Sequence, residues 1–171
     1  MKLISLILTI YLGLLTTTLF GQTPEYNQYL LKQKLPDNFR STVVSQLDNQ
    51  YELSDFMNPF YLLADFNGDQ KTDIAVTVKE IKTGNTGFIV FHGDIDDHYV
   101  IGAGNKIGNG GDNFKCLDIW RVYSKNIIEP GVGETKRVDL KADAIFVEKA
   151  ESASAVIYWS GTEYKWYQQG D

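Results

Sequence analysis

The fold is decided by residues 60–81, which read FYLLADFNGDQKTDIAVTVKEI. The apolar run at each end favours a β-strand, because short apolar runs bounded by turn residues are typical of strands buried in a sheet. Between the runs lie Asp, Asn and Gly, which are common in turns since they tolerate left-handed backbone angles. The stretch therefore predicts two strands joined by one polar loop, residues 65–73.

This loop carries oxygen-bearing side chains on alternate residues. Asp65, Asn67, Asp69 and Asp73 occupy loop positions 1, 3, 5 and 9, and the carbonyl of Lys71 lies at position 7. Ca²⁺ in proteins takes about six to eight oxygen ligands from short acidic side chains and backbone carbonyls. Carboxylates placed this close repel one another unless a cation or a proton lies between them. We therefore predict that these five residues bind Ca²⁺; the alternative is an Asx-rich β-turn without an ion.

The loop resembles the calcium loop of FG-GAP/VCBS-type repeats, which occur in integrin α-subunit propellers and in many secreted bacterial proteins. The loop of that family reads D-x-[DN]-G-D-G-x-x-D between two β-strands, and this chain matches it at Asp65, Asn67, Gly68, Asp69 and Asp73. Gln70 stands where the family has its second Gly, and a single copy of the pattern is present. The resemblance implies a Ca²⁺ loop in a secreted protein. An EF-hand is disfavoured, because Val76 stands in place of the bidentate Glu.

Residues 1–21 predict a secretory signal peptide. Lys2 supplies a positive charge, residues 3–15 are apolar, and a cleavage site before Gln22 is plausible. The alternative is an uncleaved membrane anchor, since an apolar run of about 18 residues is borderline for a membrane span. We expect cleavage, which leaves residues 22–171 as one periplasmic or extracellular domain with no membrane attachment.

Composition limits the classes of partner. The chain has 16 basic and 22 acidic residues, a net charge of −6, which argues against nucleic acid as a partner. Cys116 is the only cysteine, so an intrachain disulfide is impossible, and we expect its side chain to be buried. We expect a monomer that contacts a protein or a glycan.

The pattern of residues predicts a mainly β (α+β) fold, with antiparallel sheets and one or two N-terminal helices. Thr23 and Pro24 indicate a helix over 24–34, and Asp37 would cap a second one with Phe39, Val43 and Leu47 on one side. Strands are expected at 60–64, 74–81, 88–91, 99–101, 117–123, 138–140, 144–147, 153–159 and 164–167. For the strand at 117–123 the buried face stays open: it carries either Trp120 and Val122 or the alternate residues. No internal repeat is visible, which excludes a complete propeller.

Three further groups of residues are candidates for function. Trp159, Tyr164 and Trp166 in the last hairpin are expected to pack in the core, and an exposed platform for a sugar or a peptide is the alternative. The Gly- and Asn-rich segment 102–113 predicts a long surface loop, through which a small exported hydrolase or enzyme inhibitor would act. No Ser/His/Asp motif is present, and an enzyme is disfavoured. His92 and His98 flank Asp94, Asp96 and Asp97; we expect a solvated turn there, with a transition-metal site, or a carboxylate supplied to the Ca²⁺ loop, as alternatives.

Overall fold

The computed structural model describes residues 23–93, 98–124, 126–131, 133 and 135–170. The predicted signal peptide and the three Asp residues at 94, 96 and 97 lie outside the described residues. Two helices come first, α1 (Pro24–Lys34) and α2 (Asp37–Gln46). The strands are β1 (Tyr51–Leu53), β2 (Tyr61–Ala64), β3 (Asp73–Glu80), β4 (Thr86–Phe91), β5 (His98–Gly102), β6 (Ile119–Tyr123), β7 (Ile127–Ile128), β8 (Val138–Asp139), β9 (Ala144–Lys149), β10 (Ala153–Trp159) and β11 (Tyr164–Gly170), with a 3₁₀ turn at Gly108–Gly110. The mainly β prediction is confirmed.

The helix boundaries follow from local chemistry. The side-chain oxygen of Thr23 accepts the N–H of Tyr26 at 3.3 Å, and Pro24 occupies the first turn of α1, as predicted. The prediction that Asp37 caps α2 is wrong, because the extended Pro36 occupies the capping position. Asp37 therefore lies in the first turn, where its negative charge is stabilised by the helix dipole and by Arg40 at 2.8 Å.

The first sheet is built around β3. β4 pairs with one edge of β3 and is followed by β5, while β1 and β2 pair with successive parts of the other edge, all antiparallel. β2 lies at the edge of the sheet, so only Leu62 in it is buried, and Leu63 is exposed. The expectation of a fully buried strand at 60–64 is therefore wrong. The three-residue strand β1 gave too short a signal to be predicted.

The second sheet has the order β11-β10-β9-β6, and β7 and β8 form a separate two-stranded ribbon. The two sheets share an inner core, in which alternate residues of each strand point towards the other sheet. This core contains Leu62, Ala75, Phe88, Val90 and Ile101 of the first sheet and Trp120, Ile145, Val147, Ala155, Ile157 and Tyr164 of the second. The open question about β6 is thereby answered, since Trp120 and Val122 point inwards and Tyr123 points outwards.

A further layer covers the outer face of each sheet. The helices place Leu31, Leu35, Phe39, Val43 and Leu47 against Ile74, Val76, Val78, Ile89 and Phe91. On the other side, residues of the β7–β8 ribbon cover Tyr123, Ala144, Val156 and Tyr167. Because β3 is covered on both faces, its residues from Asp73 to Val78 are all buried. Neither of the two helices in the described part of the chain is long and apolar enough to cross a membrane.

Cys116 is exposed, contrary to the prediction that it is buried. The N–H of Leu117 bonds to the carbonyl of Phe114 at 3.0 Å, which closes a turn around Lys115 and Cys116. Phe114 takes the buried position of this turn, with 1% of its surface exposed. The middle residues of the turn therefore face outwards.

Candidate functional site

The loop at residues 65–73 joins β2 to β3 as a hairpin that is closed by the pairing of Ala64 with Asp73. Two of its residues have left-handed backbone angles, Gly68 with φ +85° and Gln70 with φ +68°. Gly adopts such angles without steric cost, whereas a residue with a Cβ is strained there. Gln70 therefore has a left-handed backbone angle at the position where the FG-GAP/VCBS-type loop has Gly, which adopts such an angle without strain.

The carboxylate of Asp65 organises the loop backbone. Its Oδ1 accepts the N–H of Gly68 at 2.6 Å and that of Asp69 at 3.2 Å, and its Oδ2 accepts the N–H of Gln70 at 2.9 Å. An Asp side chain that bonds the backbone of the residues after it is the usual Asx-turn arrangement. Asp65 therefore holds the backbone of residues 68–70 in a tight turn.

Asn67 and Asp69 are linked to each other. Asn67 Oδ1 accepts the N–H of Asp69 at 2.9 Å, and Asn67 Nδ2 donates to Asp69 Oδ2 at 3.2 Å. Asp69 Oδ1 accepts the N–H of Lys71 at 2.8 Å. That last bond is the main reason why the pKa of Asp69 lies below its ordinary value. Asp69 is thus an exposed carboxylate that stays ionised.

Asp73 differs from the other three because it is completely buried. Its Oδ2 accepts the N–H of Phe66 at 2.7 Å and of Asn67 at 3.2 Å, and its Oδ1 accepts the N–H of Gly93 at 2.8 Å. Burial raises the pKa of Asp73, and the N–H groups of Gly93 and Phe66 and the nearby His92 act in the opposite direction. Asp73 therefore ties the start of the loop to the turn after β4.

The chemistry of the loop fits Ca²⁺, but its side chains are turned to backbone N–H groups. Among the described residues, no group of three or more His, Cys, Asp or Glu side chains is arranged to hold a metal ion. A carboxylate has about four lone-pair sites, and from the described residues Asp69 accepts two bonds, from Asn67 and Lys71. To bind Ca²⁺, the carboxylates of Asp65 and Asp73 would have to share their oxygens with the backbone N–H groups that they accept, or exchange those bonds for the ion.

The loop also contacts the second sheet. The carbonyl of Asp65 accepts the N–H of Asp143 at 2.9 Å, just before β9. At Gly68, a Cβ would lie 3.1 Å from the carbonyl oxygen of Lys141, so the two segments are in close contact. The loop is therefore a junction between the two sheets as well as a hairpin turn.

Beside this junction lies a cleft of about 310 Å³. It is lined by Asn67, Asp139, Lys141, Ala142, Tyr158, Trp159, Ser160 and Gly161. Of these residues, Asn67 and Trp159 are candidates for function from the sequence. Asp139 and Lys141 were missed because they lie far away along the chain and belong to no recognisable motif.

A buried aromatic cluster supports Trp159 from behind. The ring centroid of Trp159 lies 4.7 Å from that of Tyr99, 5.0 Å from that of His92 and 5.1 Å from that of Tyr164. His92 Nε2 is 2.9 Å from the Tyr164 hydroxyl, and burial is the main cause that raises the pKa of Tyr164. Tyr164 is buried and Trp159 is half-buried, which agrees with core packing.

The prediction of a solvated His92 is wrong, since only 3% of its surface is exposed. Successive strand residues point to opposite faces. Phe91 faces the helices, and the next residue, His92, faces the aromatic cluster. His98 pairs with Phe91 and so lies on the face opposite to His92. One metal ion bound by both histidines is therefore disfavoured.

Trp166 is half-buried beneath the Gly- and Asn-rich segment 102–113. A Cβ on Gly110 would lie 2.4 Å from its ring, so this segment packs directly on the indole. The indole N–H donates to Gln168 Oε1 at 2.9 Å. The segment is also held by Asn113, whose side-chain oxygen accepts the N–H of Thr86 at 3.2 Å. Trp166 is thus a support for the segment rather than an open platform.

Set against protein-family models, curated proteins and solved structures, the chain matches none of them.

Proposed function

We propose that the protein is a secreted, non-catalytic binding module, that residues 65–73 take up Ca²⁺ as a structural ion, and that the module contacts a protein or a glycan. One observation carries the proposal. The loop with oxygen donors at positions 1, 3, 5 and 9 is the place where the β2–β3 hairpin meets the second sheet. An ion there would stabilise the contact between the sheets.

The electrostatics of the loop support an ion. Asp65, Asp69 and Asp73 are three carboxylates in nine residues; burial is the main cause that raises the pKa of Asp73, and the negative charge of Asp69 adds to it. A bound cation would remove this repulsion and would favour the ionised form of the buried Asp73. The resemblance to the FG-GAP/VCBS-type loop supports the same ion and a secreted protein. Affinity would be modest, with a Kd on the order of 10⁻⁴–10⁻³ M as in extracellular modules.

The contacts of segment 102–113 favour a structural role over action as a hydrolase or an inhibitor. Gly104 donates to the carbonyl of Asp112 at 2.9 Å, and Gly110 packs on Trp166. Asp118, another carboxylate near this segment, accepts the N–H of Ala150 at 2.9 Å. The contacts of this segment and of Asp118 hold loops in place. None of them favours a hydrolase or an enzyme inhibitor.

Calcium titration combined with thermal unfolding tests the proposal. At a Ca²⁺ concentration of about 100 times Kd, the free energy of unfolding should rise by about 2.7 kcal/mol. Asp69→Ala should abolish this increase, because Asp69 is the exposed carboxylate with free lone pairs. Asp55→Ala is the matched control, since Asp55 is an exposed Asp outside the loop and should leave the increase unchanged.

The proposal fails if the melting temperature of the wild-type protein is the same in EDTA and in about 100 mM Ca²⁺, which is 100 times the weakest Kd expected. It also fails if Asp69→Ala retains the full increase. Mg²⁺ at the same concentration serves as a second control, because it demands near-octahedral geometry and keeps its water more strongly than Ca²⁺.

A further inference from the structure

The cleft beside the loop joins three parts of the chain that are distant in sequence. Asn67 comes from the loop at 65–73. Asp139 lies at the end of β8, and Lys141 lies between β8 and β9. Trp159 ends β10, and Ser160 begins the turn after it. We propose that this cleft binds a neutral glycan through one or two of its sugar units. The inference rests on the proposed function, because it names the class of partner of the same binding module.

Trp159 supplies a rigid aromatic wall. Tyr99, His92 and Tyr164 pack around it with ring centroids within 5.1 Å, so its orientation is fixed before any ligand arrives. A pyranose ring has an apolar face of C–H groups, which can pack on an indole in the way that other apolar groups pack on aromatic rings. Within the described part of the chain, the indole N–H of Trp159 has no hydrogen-bond partner. It is therefore available to a sugar hydroxyl.

Asp139 and Asn67 supply the polar groups of the cleft. Arg137 donates twice to Oδ1 of Asp139, at 3.0 and 2.8 Å, while Oδ2 accepts no hydrogen bond from a described residue. Asn67 is held by Asp69 through both its oxygen and its nitrogen, and one N–H of its amide remains. A sugar hydroxyl both donates and accepts hydrogen bonds, so it can pair with a carboxylate oxygen and an amide N–H at once.

Charge and size decide the class of ligand. The lining carries one acid, Asp139, and one base, Lys141, so it offers no excess positive charge for a phosphate or a sulfate. The volume of about 310 Å³ lies near the lower end of ligand pockets, which span about 300–1,000 Å³. A short segment of a neutral glycan fits both properties, with an aromatic wall on one side and mixed polar groups on the other.

Titration calorimetry of the purified protein tests the inference. The probes are neutral trisaccharides of glucose, mannose, galactose and N-acetylglucosamine, together with one sulfated and one sialylated trisaccharide. At least one neutral probe should bind with a Kd of about 1 mM or tighter. Trp159→Ala and Asp139→Ala should each weaken that binding by about tenfold or more.

Two features of the design keep the result decisive. The side chain of Asp139 is 75% exposed, so its replacement leaves the fold intact even if Trp159→Ala unfolds the protein. Trp166→Phe is the matched control, because Trp166 is a half-buried tryptophan outside the cleft and should leave binding unchanged. The inference is overturned if no neutral probe binds at about 10 mM, if only the anionic probes bind, or if binding is unchanged in Asp139→Ala.

Measurements in Ca²⁺ and in EDTA separate this inference from the proposed ion site. Glycan binding that persists in EDTA, with no effect of Ca²⁺ on melting, would support the cleft and refute the ion. A calcium-dependent melting temperature without glycan binding would support the ion and refute the cleft.

Discussion

Among the polar residues of the loop, the buried Asp73 is expected to be the one whose replacement destabilises the protein most. Its carboxylate accepts three backbone N–H groups, from Phe66, Asn67 and Gly93, at 2.7–3.2 Å. Asp73→Ala leaves all three donors without a partner, and an unsatisfied buried donor costs about 1–3 kcal/mol. Gly93 is exposed and Asn67 half-buried, so water can reach these two donors and only the N–H of Phe66 loses its partner completely. We expect a loss of about 3 kcal/mol in the free energy of unfolding.

Asp73→Asn should cost less, about 1–2 kcal/mol. The Asn oxygen keeps the bonds to Phe66 and Asn67, while its NH₂ group faces the N–H of Gly93. The side chain of Asn is neutral, so this variant buries no charge. Burial of the charge is the main cause that raises the pKa of Asp73 in the wild type.

Urea unfolding followed by tryptophan fluorescence, in EDTA to remove any effect of Ca²⁺, measures these differences. Asp69→Ala is the control, because its carboxylate is exposed and its loss should cost less than about 1 kcal/mol without the ion. Equal losses for Asp73→Ala and Asp69→Ala would refute the view that Asp73 anchors the loop. A larger loss for Asp73→Asn than for Asp73→Ala would refute the account of its charge.

Two further predictions concern the same region. Gln70→Gly should raise the free energy of unfolding by about 0.5 kcal/mol, because the relief of a left-handed Gln exceeds the added entropy of Gly in the unfolded chain; a lower urea midpoint for this variant would contradict it. Burial raises the pKa of Tyr164 above its ordinary value of 10.0, so the folded state holds this proton while the unfolded state releases it. The contribution of Tyr164 to the free energy of unfolding should therefore be fully present below pH 10. Above pH 10 it should fall by about 1.4 kcal/mol per pH unit. Urea midpoints between pH 8 and 11 should fall less steeply for Tyr164→Phe than for wild type, and parallel curves would exclude the burial effect.

Much of the fold was predictable because its signals are local. The start of α1 depends on Thr23 and Pro24, which satisfy helix N–H groups within one turn. The hairpins depend on turn residues between alternating or apolar runs, and the last of them, β10–β11, formed as predicted. The loop was also predictable as a unit, since Asp65 bonds residues only three to five positions further on.

Only the tertiary structure decided which side chains are buried and which distant segments come into contact. His92 is buried because aromatic residues of β5, β10 and β11 cover it, and Cys116 is exposed because Phe114 takes the buried position beside it. The face of β6 that points inwards depends on which sheet lies opposite. The cleft with Asn67, Asp139 and Trp159 exists only because the loop docks on the second sheet. Hydrogen bonds of turns and caps form between near neighbours and leave a pattern in the chain, whereas burial depends on contacts between elements that share no such pattern.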